Sequence, residues 1–525
     1  MKKKVFTPTF VISASVSLIL AIISLISTDT LSEILSAFQV VFAVEYGWLG
    51  QIIPLVCLVI LFILGFSKKY GHIKLGGVDA KPEYSTFAWI GMLFTAAIGM
   101  GLMSFAVNEP LYAYLLSPGS IDAQPNIMEA AKQAMVTSMY HWGASTWAIG
   151  ALAGLIVAYF VSRHNGRYLP GDAIIKAWPH KKWSKKLSSF INILACIAAA
   201  ATISASMGIG VVQLTSGVSA LFNLSESATD MLPYIFLILL TVFCLFSSTT
   251  KKIGKGMNII SNINIYVCIF VLVFVFVFGP TRFIFENVVQ TFGAYISEFI
   301  PRSTDMFIFG TDQALATTGM SYLTSWDVVN NLFWVCWAPF MAVFIASISK
   351  GRTIKEFAIG TTIVPTVFML LWNGGIGGIS LLDTLLGEGQ IAANVLERAD
   401  LTFFMIIKSL PFSTIMTIVS IILLFMFLTT TITSASLSLG RMTDDDGLNP
   451  APIRCAIWLI LMACISLTSL VSASAGGADA LATIKAIGST FGYPYLFFFI
   501  MIIFAFLRRI RIDEMKNPTP RINKD

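Results

Sequence analysis

Tryptophan residues at two places in the sequence are spaced in a way that suits the binding of an organic cation. The stretch FWVCWAPF puts Trp334, Trp337 and Phe340 three residues apart, on roughly one face of a helix. The stretch YHWGASTWAIG supplies Trp142 and Trp147. Clustered indoles can surround a quaternary ammonium group, because their faces attract its diffuse charge without a hydrogen-bond donor. Such rings more often form an interface belt or pack a core, but Trp334 and Trp337 lie inside an apolar segment, which argues against a belt.

A second unusual feature is the stretch AAIGMGLMSFAVNEPLY, residues 96–112. With about 1.5 Å of rise per residue from Phe87, Gly99 and Gly101 fall about 18 to 21 Å into their apolar segment, close to the middle of a bilayer. Irregular backbone at that depth is tolerated only where it lines a cavity or is buried in protein, and freed carbonyl groups can bind a cation there. The alternative is close helix packing through the small pair Ala97 and Gly101. This stretch alone leaves both interpretations open.

The elements that carry these residues are membrane-spanning helices. The chain has 525 residues, 56% hydrophobic and 12% charged, with a mean hydropathy of +0.80, which no soluble domain of this size approaches. A bilayer core of about 30 Å needs about 20 apolar residues per helix. This requirement predicts twelve transmembrane helices, beginning near Thr9, Gln51, Phe87, Val136, Leu187, Met231, Asn258, Asp327, Glu356, Ser413, Pro452 and Tyr493.

The charges between these segments predict the orientation. Lys and Arg cluster in every second connection, as in residues 163–186 and 350–355, whereas the alternate connections, such as residues 383–400, carry more acid. Because Lys and Arg are retained on the cytoplasmic side, both termini are expected in the cytoplasm and the chain in the plasma membrane. These clusters account for the net charge of +6, so no nucleic-acid partner is expected.

One of the connections between apolar segments has hydrophobic residues at helical spacing. TRFIFENVVQTFGAYISEFIPRSTD, between the seventh and eighth segments, has apolar residues at helical spacing with charges between them. This pattern predicts an amphipathic helix on the outer surface, with an ordinary extracellular loop as the alternative. The basic, Pro-interrupted end of the chain predicts a short cytoplasmic tail.

The sequence carries no signature of an enzyme or a channel. It has no H-E-x-x-H motif and no G-x-S-x-G turn, and it shows no repeated filter or ring of pore charges. The seven cysteines lie in or beside apolar segments without a C-x-x-C pair, as expected of small buried side chains and not of disulfides or metal ligands. We therefore expect a transporter of a small molecule, without a cofactor.

Taken together, GMGLMSFAVNEPLYAY, YHWGASTWAIGALAGLIVAYF, ASMGIGVVQ, FWVCWAPF and SISKGRTIKEFAIGTTIVPT resemble the betaine/choline/carnitine transporter family, with GRTIKEF and EPLY as the sharpest matches. The resemblance implies an all-α membrane protein with a leucine-transporter-like inverted repeat. Helices 1 and 2 would occupy residues 1–85, helices 3–7 residues 86–281, the connecting helix 282–325, helices 8–12 residues 326–510 and the tail 511–525. The family imports or exchanges trimethylammonium compounds, often as osmoprotectants, and several members are trimers, which makes a homotrimer an expectation here.

The resemblance also implies a substrate site. The family's ammonium-binding box is built from helices 4 and 8, and the unwound part of helix 3, Ala97 to Gly101, offers its backbone. The residues that the resemblance assigns to substrate binding are Trp142, Trp147, Trp334, Trp337, Phe333, Tyr112, Ile98, Gly99 and Gly101.

Sodium is the coupling ion that the resemblance implies. Thr433 and Ser434 match a hydroxyl pair that binds sodium in sodium-coupled members together with carbonyl groups, here those of Ala97 and Ile98. Hydroxyl groups in membrane helices also commonly bond back to their own carbonyls. The family's second sodium site would fall on Ala199 and Ile203, so we expect one site at most. Proton coupling through His141 and exchange transport are left open.

Several positions depart from the family pattern. Asn330, Asn331 and Phe333 replace residues of the helix 8 signature, and Gly150 stands where betaine carriers have a tyrosine, which leaves open a non-quaternary zwitterion such as an amino acid. Glu109 is expected at the outer end of helix 3, about 33 Å from Phe87. The acidic residues 444–446 are expected in a solvated loop.

Overall fold

The computed structural model describes residues 6–516 except 27, 98, 117–126, 226–228, 250–252, 307–323, 388, 396–397, 445–446, 448–449 and 475–487. Within these ranges the regular structure is helical, apart from one β-bridge between Lys74 and Thr353. The described helices are α1 (Pro8–Ile26), α2 (Thr28–Phe66), α3 (Thr86–Ala97), α4 (Gly99–Met103), α5 (Phe105–Leu116), α6 (Ile127–Trp142), α7 (Ala144–His164), α8 (Asp172–Ala177), α9 (Lys182–Phe222), α10 (Leu232–Thr249), α11 (Ile253–Phe278), α12 (Thr281–Thr304), α13 (Val329–Ile348), α14 (Ile354–Ala358), α15 (Val364–Trp372), α16 (Gly378–Leu386), α17 (Gln390–Val395), α18 (Thr402–Lys408), α19 (Ser413–Met442), α20 (Pro452–Ser474) and α21 (Gly492–Lys516).

The multi-pass architecture predicted from hydropathy is confirmed. Among the described residues, eight helical segments are long and apolar enough to cross a bilayer. Four shorter apolar helices fall at further predicted positions: Pro8–Ile23, Thr86–Ala97, Leu232–Ser248 and Pro452–Thr468. The count of twelve spans and the inverted repeat stay predictions.

The third predicted span is described as α3, which ends at Ala97, α4 from Gly99 to Met103, and α5 from Phe105. Gly99 and Gly101 are helical, so the prediction of unwound backbone is wrong for both glycines; Ile98 lies outside the described residues. The described interruption of this segment is the turn at Ser104, between α4 and α5. Ser104 is 1% exposed, so the turn lies in the interior of the bundle, where irregular backbone is tolerated. Helix α19 packs against α3, α4 and α9, and α13 packs against α7 and α9.

The GRTIKEF loop joins the two halves of the chain. Gly351 has φ +83, a left-handed conformation that glycine adopts without strain, and a Cβ there would lie 2.3 Å from the carbonyl carbon of Lys81. Arg352 lies over the ring of Trp89, 4.9 Å from its centroid, and donates to the carbonyl oxygen of Tyr84 at 2.8 Å. Thr353 then starts α14 with a capping box. The loop therefore ties the start of α14 to the start of α3.

The predicted amphipathic helix is present as α12. Its buried side, which includes Ile284, Ala294 and Tyr295, packs against α6 and α2. Pro301 lies within its last turn, and the side chain of the following residue, Arg302, is 9% exposed. The alternative of an ordinary loop without helical structure is therefore wrong for this segment.

Two expectations for loops and tails change. Asp444 is buried and forms an ion pair with the buried Arg454, so the expectation of a solvated acidic loop is wrong for this residue; residues 445 and 446 lie outside the described ranges. Helix α21 continues to Lys516, beyond the predicted start of the tail at residue 511. It does so because Asp513 accepts a hydrogen bond from Tyr159 at 2.7 Å and pairs with Arg509 at 3.0 Å.

Candidate substrate site

A cavity lies where the interrupted segment meets α6, α9, α13 and α19. Aromatic rings form much of its wall, and apolar side chains with two hydroxyl groups complete it. The lining residues are Ala97, Gly101, Phe105, Trp142, Ile203, Ser206, Met207, Phe333, Trp334, Trp337, Leu428, Thr431 and Ile432. Of the predicted substrate residues, the cavity therefore brings together Trp142, Trp334, Trp337, Phe333 and Gly101.

The rings meet at angles that suit a cation. Trp142 and Trp334 lie 6.0 Å apart between centroids with an interplanar angle of 79°, so they form two walls at nearly a right angle. Phe333 stacks on Trp337 at 6.1 Å and 18°. Phe105 lies nearly parallel to Trp142 at 6.3 Å. The face of an indole attracts a cation and its edge does not, so the ammonium group of a solute would bind over the ring faces that line the cavity.

Gly101 makes the close approach of Trp142 to the interrupted segment possible. A Cβ at residue 101 would lie 2.5 Å from Cη2 and 2.6 Å from Cζ3 of Trp142, well inside the separation of about 3.5 to 4.0 Å at which carbon atoms attract. Any larger side chain would push the indole away. This contact gives the glycine a role in shaping the site that the sequence did not reveal.

Two predicted substrate residues lie outside the cavity wall. Trp147 stands behind Trp334, with centroids 6.4 Å apart, and stacks on Phe94 at 6.2 Å and 11°. The hydroxyl of Tyr112 donates to the carbonyl oxygen of Val395 at 3.1 Å, and its ring lies against that of Trp326. Trp147 therefore supports Trp334, and Tyr112 ties α5 to α17. Of the two remaining backbone positions, Gly99 begins α4 and Ile98 lies outside the described residues.

The added amides do not face the cavity either. Asn331 donates to the carbonyl oxygen of Gly50 at 3.1 Å, and Asn330 points to the carbonyl oxygen of His141 at 3.5 Å. Gly150 packs beside Met341. These departures from the family pattern serve helix packing, and Phe333 is the one of them that reaches the cavity.

One polar group on the cavity wall has no protein partner within the described ranges. The indole N–H of Trp337 is buried without a hydrogen-bond acceptor, as is that of Trp147 behind the wall. Buried donors are nearly always paired, and Trp337 lines the cavity. A carboxylate or hydroxyl group of a bound solute can accept this hydrogen bond.

The two hydroxyl groups proposed for sodium differ. Thr433 Oγ1 is buried and donates no hydrogen bond to a backbone carbonyl of its own helix; the thiol of Cys244 on α10 is its side-chain neighbour. Ser434 instead donates to the carbonyl oxygen of Thr430 at 2.6 Å. Helix α19 packs against α3 and α4, so Thr433 is carried by the helix that faces Ala97. At the second family site, Ala199 and Ile203 offer no hydroxyl group, and the nearby Thr202 donates to Ala198 and Gly488 carbonyl oxygens.

Glu109 is buried, so it does not lie exposed at a helix end. Its carboxylate is 1% exposed, lies 2.5 Å from Nδ1 of His141 and accepts a hydrogen bond from the indole N–H of Trp142. Counting residues along one helix left out the neighbouring helices, whereas α5 packs against α6. Sequence reasoning missed this arrangement, although a carboxylate and a histidine within apolar segments were a signal.

An all-helical bundle with an interrupted helix and an indole-lined interior cavity is the architecture of a secondary transporter. Residues 8–515 match the family model described as the betaine/carnitine/choline family transporter. The chain belongs to this family, and the expectation of a transporter, not an enzyme, is confirmed.

Three relatives illustrate the similarity. The chain is 31% identical to an ectoine/hydroxyectoine transporter of Virgibacillus pantothenticus over 98% of each chain. It is 30% identical to an osmo-dependent choline transporter of Acinetobacter baylyi, over 98% of this chain and 72% of that one. It is 29% identical to a glycine betaine/proline/choline/ectoine transporter of Vibrio parahaemolyticus, over 97% of this chain and 88% of that one.

Proposed function

We propose that this protein imports a compatible solute with a quaternary ammonium head, of the glycine betaine, choline or carnitine type, by secondary active transport. The observation that carries the proposal is the cavity wall formed by Trp142 and Trp334, which cross at 79° with centroids 6.0 Å apart. The names of the choline and glycine betaine relatives support it. The protein would lie in the plasma membrane with both termini in the cytoplasm, and it would assemble as a homotrimer.

The carboxylate end of a zwitterionic solute can accept a hydrogen bond from the cavity wall. A zwitterion such as glycine betaine carries a carboxylate a short distance from its ammonium group, and the indole N–H of Trp337 is the unpaired donor on the cavity wall. A hydrogen bond to a charged group contributes about 1.5 to 3 kcal/mol. Trp337 would thus distinguish a zwitterion from a plain alkylammonium ion.

Sodium is the coupling ion in this proposal. The buried hydroxyl of Thr433, which makes no bond to a carbonyl of its own helix, supports it, because Na⁺ prefers oxygen ligands. Ala97 and Ile98 would contribute backbone carbonyl groups. Ser434 donates its proton to its own helix, which leaves the lone pairs of its oxygen for the ion. The ion would supply the driving force, and the residues of α3 and α19 would bind it only when the two helices are close.

Uptake into proteoliposomes tests the solute and the ion separately. Labelled glycine betaine, choline and carnitine are offered with and without an inward sodium gradient, and Trp334→Ala is expected to abolish saturable uptake. Trp183→Ala is the matched control, because Trp183 is 46% exposed at the start of α9. Normal uptake by Trp334→Ala would show that the box is assigned wrongly, and uptake that ignores the sodium gradient would remove the sodium coupling alone.

A non-quaternary zwitterion is the second candidate. The relative named as an ectoine/hydroxyectoine transporter favours it, although Asn330 and Asn331 no longer do, since neither lines the cavity. The same donor on Trp337 would bind the carboxylate of such a solute. Competition with labelled glycine betaine distinguishes the candidates: unlabelled ectoine or an amino acid that competes better than choline would favour the second.

A further inference from the structure

Four ionisable side chains form a buried cluster next to the cavity. Glu109 on α5, His141 on α6, Asp327 before α13 and Arg302 at the end of α12 meet there. His141 lies 2.5 Å from Oε1 of Glu109 through Nδ1 and 2.8 Å from Oδ1 of Asp327 through Nε2. Arg302 pairs with Asp327 through Nε at 3.0 Å and Nη2 at 3.1 Å. The histidine and both carboxylates are at most 1% exposed.

The contacts of His141 fix the number of protons in the cluster. An ionised carboxylate only accepts hydrogen bonds, and a neutral imidazole has a single N–H to donate. His141 lies within hydrogen-bond distance of a carboxylate through both ring nitrogens, so the two contacts need one proton more than a neutral histidine provides.

That proton also balances the charge. With it, the imidazolium and Arg302 offset Glu109 and Asp327, and the cluster is neutral. Without it, the cluster holds a net charge of −1 where water is excluded, which is costly. A cation placed nearby can offset that charge in place of the proton.

Trp142 connects the cluster to the cavity. Its N–H donates to Oε2 of Glu109, while its ring lines the cavity and lies edge-on to Trp334. The head group of a solute in the box and the carboxylate of Glu109 therefore lie on either side of one indole. A negative charge at Glu109 attracts a cation in the box through that indole.

The other described groups that face the cluster are uncharged at neutral pH. Tyr140 on α6 is a titratable group that faces Asp327 and Arg302, and its hydroxyl donates to the carbonyl oxygen of Gln51 on α2 at 3.3 Å. Two further side chains near the cluster are uncharged amides. Gln51 on α2 donates to the carbonyl oxygen of Arg302 at 2.8 Å, and the other amide is that of Asn331 on α13. The ion pair of Lys132 and Glu298, 3.7 Å long, joins α6 and α12 at a more exposed level.

We propose that Glu109, His141 and Asp327 form a proton-binding site, and that a cationic solute entering the cavity displaces its proton. The displacement rests on the proposed function; the proton site does not. Because linkage is reciprocal, raising the pH tightens solute binding, by up to about tenfold per pH unit over the range in which the site loses its proton.

The proton site is tested without any solute. The chain has four histidines, so ¹⁵N-histidine labelling gives a simple solid-state NMR spectrum in lipid bilayers, and His141→Gln assigns the His141 signals. We expect both ring nitrogens to be protonated at low pH, with one proton lost as the pH is raised. In Glu109→Gln the new amide can donate to Nδ1 and still accept from Trp142, so His141 should carry one ring proton throughout. A singly protonated His141 in the unmodified protein at every pH, or a doubly protonated one in Glu109→Gln, would overturn the proposal.

The displacement is tested by glycine betaine affinity, measured from tryptophan fluorescence quenching at constant sodium and varied pH. The carboxylate of glycine betaine stays ionised throughout, so any pH dependence belongs to the protein. We expect the affinity to rise with pH in the unmodified protein and in the matched control Glu298→Gln, and to be independent of pH in Glu109→Gln. A flat or falling profile in the unmodified protein, or an unchanged slope in Glu109→Gln, would contradict displacement. If glycine betaine, choline and ectoine bind at no pH, the proposed function fails together with displacement, and the NMR result still decides the proton site.

Discussion

The contact between Gly101 and Trp142 gives the sharpest test of the cavity's shape. Replacing Gly101 with alanine would put a Cβ 2.5 Å from Cη2 of Trp142, about 1 Å inside a normal carbon contact. Either α4 shifts or the indole retreats into the cavity and away from Glu109. Overpacking of this kind costs about 1 to 3 kcal/mol. If that cost falls on the solute-binding form, affinity drops about five- to hundredfold, since about 1.4 kcal/mol corresponds to a factor of ten.

The measurement is the KM for glycine betaine uptake into proteoliposomes, with Gly150→Ala as the matched control. Gly150 lies on α7, also within the bundle, but its added Cβ would lie 3.4 Å from Cβ of Met341, an ordinary contact. We expect a KM within about twofold of the unmodified protein for Gly150→Ala, because a contact at that distance costs little. A Gly101→Ala protein with an unchanged KM would refute the reasoning, and so would equal losses in both variants.

Three further predictions concern single polar groups. Trp337→Phe keeps an aromatic ring but removes the unpaired N–H. The affinity for glycine betaine should therefore fall about tenfold or more, while the affinity for choline, which has no carboxylate, should fall less. Competition binding measures both affinities, and equal losses would contradict the donor role. Thr433→Val removes the buried hydroxyl and should raise the sodium concentration for half-maximal uptake about tenfold, more than Ser434→Ala does; an unchanged sodium curve would exclude Thr433 as a ligand. Asp444→Asn removes a negative charge that pairs with the buried Arg454 and should lower the stability of the folded protein by about 3 to 5 kcal/mol, seen as a lower melting temperature in detergent; an unchanged melting temperature would show that the pair is replaceable.

The multi-pass helical architecture was accessible from the sequence, because apolar length decides which segments can enter a bilayer. The place of the interruption in the third span was not: Gly99 and Gly101 are helical, and the described turn falls at Ser104. The indoles of the cavity were also found, since Trp334 and Trp337 share a helix face by spacing alone. Assigning Trp147 to the wall was less successful: spacing gives the face of a helix but not which of two rings stands in front.

What the sequence by itself determined was therefore the class of protein and the set of aromatic residues from which the cavity is built. Only the tertiary structure decided that Glu109, His141, Asp327 and Arg302 meet, because they lie on four elements that are far apart in the chain. Counting residues from Phe87 put Glu109 at a wet helix end, since rise per residue measures depth but not the neighbours that cover a side chain. Burial depends on packing between helices, and α6 covers that carboxylate with His141 and Trp142. The same packing turns Asn330 and Asn331 away from the cavity and leaves Trp337 facing it with an unpaired donor.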